Sequence, residues 1–425
     1  MLRAFVNAFK IPDLRRKLLF TLGIIAVYRI GAWIPVPGVD VDLLRSLTGT
    51  GGASGLIGIV NVFAGGALAQ MAVFALGIMP YITASIIMQL LAVVIPKLEA
   101  LQREGEQGRK KITQYTRYVT VGLALLQSTG LVTLARNGAA FGQNVLTDES
   151  LLTVVMIVMT LTAGTSLIMW LGELVTQRGV GNGMSLLIFV SILSQFPSDL
   201  RQVQLENGLG WVVGVLVLGA LLCVGVVFME QGQRRIPVQY ARRQVGRRSY
   251  GGQSTYIPLK VNQSGVIPVI FASSLLYLPA LFAQLSGSQA VQQWVETYLE
   301  DPRSWVFITV FAVMTIFFAY FYTAIAFNPV EVADNMKRYG GFIPGIRPGR
   351  QTAEYLDRVL TRITFPGSLY LAAISVIPFI FLAIGDIAAF PLGGVSLLIM
   401  VGVGLETMKQ IESQLMQRNY EGFIS

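Results

Sequence analysis

Apolar runs long enough to cross about 30 Å of hydrocarbon recur ten times along the chain. They lie near 18–34, 68–95, 116–134, 151–171, 184–196, 211–229, 266–285, 305–327, 365–384 and 395–408. The pattern predicts an all-α polytopic membrane protein with ten transmembrane helices. One further apolar stretch, about 49–67 (GTGGASGLIGIVNVFAGGA), holds no charge and is too short between its glycine clusters to span. Leu56, Ile57, Ile59 and Val60 form its apolar centre. It reads as a re-entrant plug helix dipping into a cavity from outside, since backbone at membrane depth is tolerated only where protein or a water-filled cavity surrounds it. A plain apolar outer loop is the alternative.

Two local patterns occur once in each half. Gly77-Ile-Met-Pro80-Tyr-Ile82-Thr-Ala84-Ser85 and Gly265-Val-Ile-Pro268-Val-Ile270-Phe-Ala272-Ser273 share Gly, Pro, Ile, Ala and Ser at the same offsets. Gly183-Met-Ser185-Leu-Leu-Ile188-Phe-Val190 and Gly394-Val-Ser396-Leu-Leu-Ile399-Met-Val401 differ at two positions. Such internal likeness marks a duplicated membrane architecture. We expect two five-helix halves, 1–205 and 206–425, inverted about an axis in the membrane plane because spans 2 and 7, and spans 5 and 10, run oppositely. Pro80 and Pro268 should bend spans 2 and 7 beside Gly77 and Gly265, a proline inside a helix lacking a donor and clashing with the preceding turn.

Charge then orients the spans. Of 32 lysines and arginines, 27 lie in the segments on the amino-terminal side and four in the alternate loops. That asymmetry predicts cytoplasmic termini and cytoplasmic long loops, and it accounts for the net charge of +9 without a nucleic acid. Arg29, near the far end of span 1, is expected to snorkel outward. The one cysteine, Cys223, lies within span 6 and rules out an intrachain disulfide.

Chemistry is constrained by what the spans lack. There is no histidine, and apart from Arg29 no charge lies away from the span ends. Ion-coupled transporters need such groups at depth, where each costs about 2.5–3.5 kcal/mol, and intramembrane proteases need catalytic ones. No phosphate-cradling GxxxxGK[ST] loop is present, so energy must come from a partner. A gated conduit lined by small and branched apolar residues fits best. No enzymatic role and no cofactor are expected. A secondary transporter with inverted repeats and a ribosome-tethering scaffold are the competing readings.

Two loops exceed what topology requires. In 230–264, alternation around Ile236–Tyr240 and Thr255–Lys260 predicts a β-hairpin whose tip carries Arg242, Arg243, Arg247 and Arg248. In 328–363, Asn328-Pro329 should open a short helix, followed by a Gly-Pro bend through Arg347 and an amphipathic helix with Leu356, Val359, Leu360 and Ile363 on one face.

The stretches LGIMPYITASIIMQLL, EGEQGRKKITQYTRY, QRGVGNGMSLLIF, QSTYIPLKVNQSGVIPVIFASSLL, NMKRYGGFIPGIRPG and LDRVLTRITFPGSLYL resemble the SecY family, the channel subunits of the bacterial Sec protein-translocation complex. The resemblance runs from about Phe9 to Tyr420. It implies a ten-helix clamshell with an hourglass pore, closed by a ring that falls on Ile78, Ile82, Ile188, Ile192, Ile270 and Ile399. It implies that spans 2 and 7 part sideways about Gly77, Pro80, Gly265 and Pro268 to release signal peptides and transmembrane segments into lipid. It further implies docking of the SecA ATPase or the ribosome at Arg247, Arg248 and Arg347, small partner subunits SecE and SecG, nascent polypeptides as substrate, and residence in the bacterial inner membrane.

Overall fold

The computed structural model describes residues 9, 11–48, 61, 63–136, 143–240, 243–245, 248–250, 255–285, 289–301, 303–385 and 393–421. Its helices in chain order are α1 (Pro12–Gly31), α2 (Val41–Thr48), α3 (Met79–Val94), α4 (Pro96–Arg103), α5 (Glu106–Arg136), α6 (Leu151–Arg178), α7 (Gly183–Asn207) and α8 (Leu209–Gln231). After a β segment follow α9 (Ile267–Leu285), α10 (Gln289–Val295) with a π-helical turn at Glu296–Glu300, α11 (Trp305–Ala326), α12 (Pro329–Arg338), α13 (Arg350–Gly385) and α14 (Gly394–Glu421). Nine of the ten predicted spans coincide with one helix each, α1, α5 to α9, α11, α13 and α14, and α3 covers the second part of span 2. Among the described residues, seven helices are individually long and apolar enough to cross a membrane. The chain bends by 104° between α3 and α4, where Ile95 is extended and Pro96 starts the next helix.

Span 2 departs from expectation. Only 79–94 is helical, whereas 64–78 is a succession of turns. Gly65, Gly66, Met71 and Gly77 all have positive φ, which no right-handed helix accommodates, and Ala72 bridges to Pro35 instead. Other boundaries move outward. The basic residues Arg15, Arg16 and Lys17 lie inside α1. The amphipathic segment and span 9 merge into the single 36-residue α13, which continues through Pro366 and Pro378.

The packing order repeats. In the first half α3 packs on α5, α5 on α6, and α6 on α7, while α1 lies against α6 and α7. In the second half α9 packs on α11, α11 on α13, and α13 on α14, while α8 lies against α13 and α14. Contacts between α3 and α9, and between α7 and α14, join the two sets.

The long loops fold together. Strands β1 (Gln233–Tyr240) and β4 (Thr255–Lys260) pair antiparallel, with Ile236 opposite Ile257. At the tip, β2 (Arg243–Val245) pairs with β3 (Arg248–Tyr250). Strand β5 (Gly341–Phe342), from the second loop, adds to β1 through Gln239 and Tyr240. Ile236, Val238, Leu259, Met336, Ile343 and Leu356 form a separate apolar core beneath this sheet. The hairpin was expected; its union with the second loop was not. Asn328 caps α12 as expected, accepting from the backbone N–H groups of Val330 and Glu331 at 3.1 and 3.4 Å.

Glycines set two of the helix contacts. A Cβ on Gly183 would lie 2.0 Å from the carbonyl oxygen of Gly172 in α6, and one on Gly394 would lie 2.1 Å from that of Ile374 in α13. Gly183→Ala and Gly394→Ala are therefore expected to destabilise the fold by about 1–3 kcal/mol through overpacking. Gly404→Ala, with no atom within 4 Å, should leave stability unchanged or slightly raised. Thermal unfolding midpoints in detergent check the contrast.

Candidate functional site

The duplicated Gly-x-x-Pro stretches adopt one local design. Gly77 and Gly265 have φ of +54° and +61°, a region glycine enters without a Cβ penalty. Helices α3 and α9 then begin two residues later, with Pro80 and Pro268 as their second residues. Proline is suited to that place, because its missing N–H would have had no intrahelical partner. The first full helical bonds also correspond: the Ile82 N–H donates to the Ile78 carbonyl at 3.1 Å, and the Ile270 N–H to the Val266 carbonyl at 3.3 Å. The prolines thus start helices. The expected bend within a continuous helix is not observed, because the glycine reverses the chain before any preceding helical turn exists.

The second repeat behaves likewise. Helices α7 and α14 both begin at the glycine of the motif, so Ile188 and Ile399 occupy the same position in the second turn of each. Tight seating of Gly183 on α6 and Gly394 on α13 fixes where those turns lie. Helix α7 touches α14 and α3 touches α9, so the helices that carry each repeated motif are in contact across the halves.

All six candidate isoleucines fall in one apolar cluster. Ile78, Ile188, Ile192 and Ile399 are buried within it, and Ile82 and Ile270 are partly buried against it, the cluster being the common apolar core of the membrane helices. Branched alkyl groups offer neither donors nor acceptors, so these six side chains cannot coordinate an ion or polarise a carbonyl. Among the described residues no group of three or more acidic, cysteine or histidine side chains could hold a metal. Leu56, Ile57, Ile59 and Val60 lie outside the described residues, as do Arg242 and Arg247. Arg248 is in β3, and Arg347 stands exposed in the turn before α13, far along the chain from the isoleucines and on the loop module. Its carbonyl accepts from the Thr352 hydroxyl at 2.9 Å, which anchors the turn's backbone to the helix.

A polar contact missed by the sequence reading borders the cluster. Arg29 Nη1 donates to the Gly65 carbonyl at 3.1 Å. Its neighbour Tyr28 is fully buried, with its hydroxyl 2.6 Å from that of Ser191 in α7. A Cβ on Gly65 would meet Ser191 Cα at 3.0 Å, and one on Gly66 would meet Gln195 Oε1 at 2.6 Å. These contacts hold 64–66 against α1 and α7. The Gly65-Gly66 pair was the available signal, but its partners are distant in sequence.

The SecY family model matches residues 72–408. The chain belongs to the SecY family. A protein translocase subunit SecY from Streptomyces scabiei is 62% identical over 436 residues, covering all of both chains. A solved SecY, in which a plug domain stabilises the closed state of the translocation channel and maintains a membrane seal, superposes with a TM-score of 0.66 at 18% identity over 93% of this chain and 91% of that one. Sec61 in the canine ribosome-channel complex gives a TM-score of 0.59 at 18% identity over the same shares. At that identity the two structures establish the shared SecY fold, and the family membership rests on the sequence matches.

Alanine at the two turn glycines separates backbone strain from crowding. Both Gly77→Ala and Gly265→Ala should lower the unfolding midpoint, a left-handed residue costing about 1–2 kcal/mol. Gly77→Ala should cost more, since its Cβ also meets Ala64 Cα at 3.1 Å whereas Gly265 faces open space. Paired thermal melts in one detergent read the order directly.

Proposed function

We propose that the chain is the pore-forming subunit of a protein-conducting channel, passing unfolded secretory polypeptides across a membrane through a collar formed by Ile78, Ile82, Ile188, Ile192, Ile270 and Ile399. The observation that carries this reading is the duplication of geometry. Equivalent isoleucines follow equivalent helix starts in both halves, 1–205 and 206–425, and share one apolar cluster. The name of the Streptomyces relative, a protein translocase subunit, supports the same reading.

A collar of this kind replaces no hydration shell, so ions and water are excluded by dewetting. It makes no specific hydrogen bonds and therefore yields to a threading chain of any sequence. Helices α3 and α9, which touch across the halves, part about Gly77, Pro80, Gly265 and Pro268 to release transmembrane segments into lipid. The 49–67 plug, with Leu56, Ile57, Ile59 and Val60, closes the resting channel from outside. The chain sits in the bacterial inner membrane with both termini cytoplasmic, braced by SecE and SecG. Force comes from the SecA ATPase or the translating ribosome, seated on Arg247, Arg248 and Arg347 of the loop module. That module's sheet and private core make it a rigid platform suited to transmitting force, and the neighbour solved with a ribosome supports this orientation.

Two measurements test the reading. Asparagine at Ile82 or Ile270 is expected to raise resting ion conductance several-fold in planar bilayers. Unchanged conductance would remove those residues from the seal. Arg347→Glu is expected to block motor-driven export into vesicles while the protein remains folded and inserted. Export at the parental rate would leave that arginine an orientation charge only.

A further inference from the structure

The foot of α9, where β4 hands over to the membrane helix, is tied down at one residue and loose a few residues later. Val261 is the fixed point. Its N–H donates to the Gly232 carbonyl at 3.0 Å, and a Cβ on Gly367 of α13 would lie 2.4 Å from its carbonyl oxygen. Gly265 is the loose one. It has φ of +61° and open space where a Cβ would sit, so the backbone can turn there without a clash. Between them stands Asn262, 3% exposed. Its Nδ2 donates to Glu230 Oε1 of α8 at 2.6 Å and to the Gly265 carbonyl at 3.1 Å, while its Oδ1 accepts from the Ser264 hydroxyl at 3.2 Å. One carboxamide thus joins the end of α8 to the turn that starts α9.

The Glu230 carboxylate has a second neighbour. The hydroxyl of Tyr370 on α13 is enclosed and has no hydrogen-bond partner among the described residues, and Glu230 is the charged group that acts on it. Lys260 of β4 and Lys409 of α14 add positive charge around the carboxylate, and Glu406 of α14 adds a negative one. An enclosed hydroxyl without a partner is costly and rare, and this one stands near an acceptor that another donor holds. Hydrogen bonds to a carboxylate are roughly twice as strong as neutral ones, so whichever donor holds Glu230 fixes the geometry around it. Exchanging one such bond for another keeps two arrangements close in free energy, as a two-state element requires.

We propose that Asn262 is a positioning residue that latches the foot of α9. With its carboxamide shared between Glu230 and the Gly265 carbonyl, α9 stays beside α3. When α9 swings out about Gly265, Asn262 leaves Glu230 and the carboxylate passes to the Tyr370 hydroxyl. Force arriving along β4 meets the latch one residue after the fixed Val261, so release occurs at the junction between the loop module and the membrane helix. The inference rests on the reading that α3 and α9 part during transport, and it adds which side chains keep the resting arrangement.

The test measures the separation of α3 and α9 in the full chain, in lipid nanodiscs, by double electron–electron resonance. Spin labels are attached at Leu91→Cys and Leu275→Cys in a Cys223→Ser background, without and with a synthetic signal peptide that raises the long-distance population. Asn262→Ala is expected to raise the long-to-short ratio about tenfold without peptide, the worth of one hydrogen bond to a charged group. Tyr370→Phe is expected to lower that ratio about fivefold with peptide, and the double variant should return close to the parent. Glu230→Gln keeps an oxygen for either donor and should stay within about threefold of the parent. A merely structural role predicts no such opposition of sign between two buried neighbours. If Asn262→Ala does not fold, Tyr370→Phe decides alone, since it removes only an unpartnered hydroxyl. Lengthening with peptide in the parent, but no change or the same direction of change in both variants, would overturn the latch and leave the parting of α3 and α9 standing. A separation that peptide does not alter in the parent would overturn that parting, and the latch with it.

Discussion

Backbone that leaves the helix inside a membrane must find its hydrogen bonds and its packing within the protein, and that constraint shapes everything around 64–78. Helix α3 has 16 residues and reaches only about 24 Å at 1.5 Å per residue, less than the hydrocarbon thickness. The turns of 64–78 lead into it, and they are walled in on several sides. Gly31 of α1 admits the Phe74 ring, Gly164 of α6 admits the Val73 carbonyl, and Ser191 of α7 sits against Gly65. Without those close approaches the segment would expose unpaired amides to lipid, and α3 could not begin at Met79.

That late start is what gives the two halves a common geometry. A glycine in the left-handed region followed by a proline in the first turn defines the origin of both α3 and α9. A glycine pressed on a carbonyl of the preceding span defines the origin of both α7 and α14. Once four helix origins are set by backbone contacts, the positions of Ile82, Ile270, Ile188 and Ile399 follow from the 3.6-residue period alone. The apolar cluster is thus specified by small residues that do not belong to it.

Much of this was legible in the sequence because it depends on local period and turn chemistry. Nine of the ten spans, the β1–β4 hairpin, the Asn328 cap and the equivalence of the repeated motifs all reflect spacing within a few residues. Where the reading missed, the deciding contact was long-range. Residues 68–78 are as apolar as a helix would be, and nothing local at Met71 signals positive φ. The donor role of Arg29 depends on a carbonyl 36 positions away. The joining of Gly341–Phe342 to β1 is a two-residue pairing, too short to show as alternation. Pro80 was correctly weighted as a breaker, but the glycine three residues earlier turned the expected bend into a helix start.

The central claim is that the isoleucine cluster lies on the path of a translocating chain. Site-specific photocrosslinking tests it most directly. With a secreted polypeptide stalled in transit, probes at Ile82 and Ile188 should capture it, while probes at Leu221 and Phe228 of α8, 66% and 77% exposed, should capture lipid. Capture of the polypeptide from α8 with none from Ile82 or Ile188 would contradict the account.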